Sequence, residues 1–101
     1  VELLISQKFV AAKTEVGGTV VEIIDGETIT VTVPWSQEYN ISGDNRFFLQ
    51  VSNPGDGSPV VNVQVLLDGQ KKYDEGGILE SFPFRFLYMF NQSFGAVIEV
   101  L

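Results

Sequence analysis

The sequence predicts an all-β protein, a β-sandwich of about seven to nine strands, and three observations predict it. Apolar and polar residues alternate at period 2 over most of the chain, and β-branched and aromatic residues are concentrated in those stretches. Short clusters of Gly, Asn, Asp, Ser and Pro separate them. Helical spacing is convincing nowhere, and strands that follow one another without intervening helices imply sheets packed on each other. The 101 residues make one domain, 1–101, long enough to bury about two-thirds of the surface its unfolded form exposes.

The elements follow in order. Leu3 to Val10 is apolar enough to be a strand. Thr19-Val20-Val21-Glu22-Ile23-Ile24 ends at Asp25-Gly26, and Ile29, Val31 and Val33 then alternate with Thr28, Thr30 and Thr32. An Asp-Gly pair between two such runs is a hairpin signal, so strands at about 18–24 and 27–33 are expected to pair antiparallel. Pro34 ends the second of them by removing a donor, and Trp35 is placed to cover one end of the core. Arg46-Phe47-Phe48-Leu49-Gln50-Val51 is the next strand, bounded by turn chemistry at 42–45 and 52–59.

Val61, Val63, Val65 and Leu67 share one face of a further strand, with Leu66 breaking the alternation. Asp68-Gly69 repeats the hairpin signal and leads into Gln70-Lys71-Lys72-Tyr73-Asp74, a polar edge strand whose lysines oppose pairing with other molecules. Phe82, Phe84, Phe86, Tyr88 and Phe90 fall on one face at period 2, with Leu87 and Met89 on the other. That segment reads as a central strand covered on both sides. Its alternative is an aromatic ribbon left open to a partner. Ala96 to Leu101 completes the set.

Function is constrained mainly by what is missing. The chain contains no His and no Cys, which removes the commonest general base and metal ligand, and with them thiolate nucleophiles, disulfides and thiolate metal sites. The expectation is a non-enzymatic protein with no cofactor and no metal. The loops at 53–58 and 25–27 hold oxygen donors for a hard cation but lack the spacing of a calcium loop, and plain turns explain them. Asp74, Glu75 and Glu80 supply carboxylates without the fixed separation in a cleft that a glycosidase needs. Thirteen acidic against six basic residues give a net charge of −7, which argues against nucleic acid as a partner. No run of 18 apolar residues exists to cross a bilayer as a helix.

Several of these segments, Val16-Gly17-Gly18, Asp25-Gly26, Val33-Pro34-Trp35-Ser36, Phe48-Leu49-Gln50-Val51 and Val63-Gln64-Val65-Leu66-Leu67-Asp68-Gly69-Gln70, resemble in order the extracytoplasmic β-sandwich domain of the mycobacterial MmpS accessory proteins. Small bacterial lipoproteins of unassigned function, as in Bacteroidetes, are similar. The resemblance covers about residues 10–75 and implies an antiparallel immunoglobulin-like sandwich outside the cytoplasm. It also implies attachment to a membrane only through an anchor outside this sequence, and action through protein contacts. The aromatic segment 82–90 has no counterpart in that pattern, and no catalytic residues carry over.

Three roles are therefore weighed. The first is an extracytoplasmic interaction or accessory module that binds a protein partner or a second copy of itself. The second is a carbohydrate or small-ligand module stacking its ligand on Trp35, Tyr39, Tyr73, Phe82, Phe84, Phe86, Tyr88 or Phe90. The third is a structural subunit that adds strands edge to edge through Leu3 to Val10 or Ala96 to Leu101.

Overall fold

The computed structural model describes residues 1–14, 17–40, 46–53, 55, 57, 59–79, 83–89 and 96–101. Among these the chain forms seven strands and no helix: β1 (Glu2–Lys13), β2 (Thr19–Thr30), β3 (Arg46–Ser52), β4 (Val60–Leu67), β5 (Gln70–Ile78), β6 (Phe84–Met89) and β7 (Val97–Val100). Five lie in one sheet, in the order β6-β3-β1-β2-β7, and β4 and β5 form a separate two-stranded ribbon. Neighbours are antiparallel with one exception: β7 runs parallel to β2, pairing Thr19 with Val97 and Val21 with Val100. The expectation of a purely antiparallel protein is corrected there.

A larger correction concerns Asp25-Gly26. No hairpin forms at this pair; β2 runs straight through it and pairs along its whole length with β1, from Glu2↔Thr30 to Lys13↔Thr19. The ladder is interrupted between Ile5 and Phe9, where the register shifts twice. The Ser6 side chain, 2 % exposed, occupies the irregularity. Its hydroxyl donates to the Asp25 carbonyl at 2.6 Å and accepts from the Lys8 N–H at 3.1 Å. Gly26 fits for a steric reason: a Cβ there would stand 3.2 Å from the Ile5 carbonyl oxygen and 3.0 Å from the Ile23 side chain. Asp-Gly thus serves a close backbone approach inside a bulged ladder, the other structural use of glycine in a strand.

The bulge changes which face the odd-numbered residues take. On one side of it, Leu3 and Ile5 of β1 and Ile29 of β2 pack with Phe47, Leu49 and Val51 of β3. On the other side, Phe9 and Ala11 of β1 and Val21 and Ile23 of β2 pack with Phe48 of β3 and Leu87 and Met89 of β6. A shift of one residue reverses the in–out pattern, so a single pair of long strands serves two cores. The first core is roofed by the ribbon, through Val61, Val63, Val65 and Tyr73, and by Leu79 beyond it. The second lies within the curl of the five-stranded sheet, closed from the far side by Val97 and Val100 of β7.

Both of the chain's arginines brace this curl. β3 pairs with β1 only as far as Ser6↔Phe48, and beyond that point the Arg46 guanidinium donates to the Phe9 carbonyl at 2.8 Å. On β6, Arg85 donates through Nε to its cross-strand partner Gln50 at 2.7 Å and through Nη1 to the Val97 carbonyl of β7 at 3.4 Å. β6 is therefore an outer strand of its sheet and not the central one expected, although both of its faces meet a core. β1, conversely, lies between β3 and β2, so its Leu3 to Ser6 half offers no free edge, while from Gln7 onward it pairs with β2 alone.

The Asp68-Gly69 hairpin forms as expected. Both residues have positive φ, 51° and 80°, the requirement of the type I′ turn that Asp-Gly favours. Removing the buried Ser6 hydroxyl by Ser6→Ala leaves the part-buried Asp25 carbonyl and Lys8 N–H short of a partner, with an expected loss of about 1 kcal/mol read from the midpoint of urea unfolding. Arg46→Met, which frees the Phe9 carbonyl, is expected to cost a similar amount, whereas Glu22→Gln on the exposed face of β2 changes the midpoint little.

Candidate functional site

Of the eight rings singled out from the sequence, Phe82 and Phe90 lie outside the described residues. Five of the other six are drawn into the first core. Phe86 is buried, and Tyr39, Phe84, Tyr88 and Tyr73 are half-buried against it. Tyr39, carried by the segment that leaves β2, stacks on Phe47 with centroids 5.8 Å apart and planes at 47°. Tyr73, the inward residue of β5, meets Phe86 of β6 at 5.4 Å and 50°. These tilted contacts are the geometry that aromatic quadrupoles prefer. They fasten ribbon to sheet and loop to sheet.

Electrostatics agree with this placement. Burial raises the Tyr73 phenol above its ordinary value of 10.0, the Glu75 carboxylate adds to the rise, and a hydrogen bond with the Arg85 backbone partly opposes it. Burial, and then the charge of Glu27, raise Tyr39 in the same way. In both cases the neutral phenol is the form the fold accommodates.

Trp35 is the exception. The chain leaves the ladder at Thr30, earlier than the Val33 expected, and after the cis Val33–Pro34 peptide it places Trp35 40 % exposed beside Val33 at 55 %. Trp35 therefore does not cover the core end; Tyr39, four residues on, takes that position against Phe47. No pattern in the sequence separates the two rings, since both follow the same proline.

Of the loops considered for a cation, 25–27 lies within β2, and in 53–58 Pro54, Asp56 and Ser58 lie outside the described residues. The Asn53 side chain accepts from the Gly55 N–H at 3.3 Å and donates to the Gly57 carbonyl at 3.0 Å, closing a turn on itself. Asp74, on the outward face of β5, is held below the usual carboxylate range by Lys71 at 3.3 Å and by the Asn62 amide. Glu80 lies outside the described residues.

The surface feature that sequence reading missed is on the ribbon. Val60 and Ile78 are direct cross-strand partners, 76 % and 57 % exposed, and Leu66 on the same outward face is 55 % exposed. Alternation marks these positions as outward; that three of them are aliphatic was the available signal. A mostly apolar groove runs between β6 and β7, bordered by Pro83, Arg85, Ala96, Val97 and Ile98, with its arginine already engaged in bracing the sheet.

No protein-family model, curated protein or solved structure matches the chain. The assignment of role therefore rests on this geometry.

Two outcomes are expected from the ring placement. In a spectrophotometric alkaline titration, Tyr39 and Tyr73 ionise above pH 10; the stability their neutral forms contribute is present below pH 10 and is lost as pH rises through their raised values. In denaturation experiments, Phe86→Ala costs about 3–5 kcal/mol, while Trp35→Ser changes stability by less than about 1 kcal/mol.

Proposed function

We propose that the chain is a non-enzymatic interaction or accessory module, an immunoglobulin-like sandwich working outside the cytoplasm, whose contact surface is the outward face of the β4–β5 ribbon. The observation that carries this reading is the division of apolar side chains. Five of the six described rings suited to stacking a ligand are engaged in packing, Trp35 being the exception, while Val60, Ile78 and Leu66 face water on a ribbon whose other side is anchored in the core. Aliphatic side chains exposed at both ends of the strand face, with the amides of Asn62 and Gln64 between them, suit a protein surface better than a sugar, for which stacking rings are the usual platform.

Packing of the ribbon against Leu3, Ile5 and Phe47 of the larger sheet supports the sandwich reading, with two sheets face to face. The extracytoplasmic placement is supported by the resemblance of residues 10–75 to exported accessory domains. Attachment to a membrane would then be through an anchor outside this sequence. The net charge of −7 favours partners that are neutral or basic and disfavours nucleic acid.

A photo-crosslinking residue placed at Val60 or Ile78, in cells expressing the full-length gene, is expected to yield a discrete protein adduct, and the same residue at Thr32 or Lys13 is not. Equal adducts at all four positions, or none at Val60 and Ile78, would overturn the assignment of the contact surface.

A further inference from the structure

Strand β4 has one neighbour, β5, and among the described residues no backbone hydrogen bond reaches its other edge. Unpaired edges invite another strand, and proteins normally blunt them. The opposite edge of the ribbon is blunted: β5 carries Lys71, Lys72, Asp74 and Glu75, and the ladder slips between Val65 and Leu66 opposite the lysines. The outer strands of the larger sheet, β6 and β7, are drawn toward each other by Arg85. β4, by contrast, reads Val60-Val61-Asn62-Val63-Gln64-Val65-Leu66-Leu67, without a charge, a proline or a glycine.

The pairing pattern specifies what this edge offers. Leu67 and Gln70 flank the two-residue turn, which makes them a hydrogen-bonded pair, and the alternation of antiparallel ladders then turns Val61, Val63 and Val65 toward β5. The N–H and C=O groups of Val60, Asn62, Gln64 and Leu66 point to the free edge. The strand is also close to a palindrome about Val63. Reading outward in either direction gives valine, then an amide, then valine, then an aliphatic residue: Gln64, Val65 and Leu66 one way, Asn62, Val61 and Val60 the other.

We propose that two copies of this chain associate by antiparallel pairing of β4 with β4 about Val63, joining their ribbons into one four-stranded sheet. This rests on the ribbon being the contact surface and names a second copy as the occupant. In that register the exposed Val60 of one copy lies opposite the second copy's Leu66, and Asn62 lies opposite the second copy's Gln64. Each outward-pointing backbone group gains a partner, aliphatic meets aliphatic and amide meets amide. The two-fold arrangement uses the same edge of both copies, and the lysine-bearing edge of β5 stops further addition, so it closes as a dimer and does not propagate. Each copy brings a net charge of −7 to an uncharged seam, so association strengthens as salt screens the repulsion.

Sedimentation velocity on the purified chain, from low micromolar to several hundred micromolar, is expected to show a monomer–dimer equilibrium that tightens with added sodium chloride. Two double variants test the register at solvent-facing positions, with thermal melts checking that both fold. V60K with L66K sets like charges opposite each other at both ends of the seam, and is expected to weaken dimerisation about tenfold or more. V60K with L66E sets opposite charges there and is expected to restore dimerisation, now weakened by salt. A wild type that stays monomeric throughout, or two double variants that dimerise alike, overturns the proposal. If the wild type is monomeric while the crosslinker at Val60 still captures a different protein, the self-pairing falls and the interaction-module reading stands.

Discussion

The buried Ser6 hydroxyl, set between the Asp25 carbonyl and the Lys8 N–H, holds the irregularity on which the architecture turns. Two twelve-residue strands with uninterrupted alternation would carry one apolar face along their whole length and serve one core. Because β1 carries an extra residue at Ser6-Gln7 opposite Gly26 and β2 carries one at Ile24, their two halves face opposite ways. One half packs under the β4–β5 ribbon, and the other rolls over Phe48 and Leu87. The hydrogen bonds that a bulge leaves open are met by a side chain small enough to sit inside the ladder, which a larger polar residue would not do.

The same constraint explains the arginines and the rings. Once the far half of β1 departs from β3, its carbonyl at Phe9 needs a donor that β3's backbone no longer supplies, and Arg46 provides it. Arg85 does the corresponding work at the open side of the curl. Charged groups in a chain with few cations are thus engaged in joining segments of sheet, and Tyr39 and Tyr73 are engaged in joining loop and ribbon to that sheet. Among the described residues, the large apolar side chains left facing water are Trp35 and aliphatics that include Val60, Leu66 and Ile78 of the ribbon.

Strand identity was legible in the sequence because period-2 alternation is a local property: β3, β4, the polar β5 and the I′ turn between the last two stand where the pattern puts them. Strand neighbours were not legible. Asp25-Gly26 and Asp68-Gly69 carry the same dipeptide, yet one threads a bulge and the other reverses the chain. The difference lies in Ser6, nineteen residues upstream, which no local window contains. The position of the Phe84–Met89 strand at the outside of its sheet, with both faces covered, failed for a related reason. Two-sided apolarity reports burial, and a curled sheet buries an outer strand as well as a flat one buries a central strand. Of the candidate site, the rings were visible but their engagement was not. The ribbon's outward aliphatics were visible only as a departure from the polar residues expected there.

The parallel docking of β7 on β2 bears on the order in which the molecule assembles. β4 and β5 meet across two residues, a closure that costs little chain entropy, whereas β7 must find Thr19 to Val21 across most of the chain's length. Non-local pairings of that kind form late and carry the slow step of β-protein folding. Until β7 arrives, Phe9, Val21 and Phe48 lack one wall of their core.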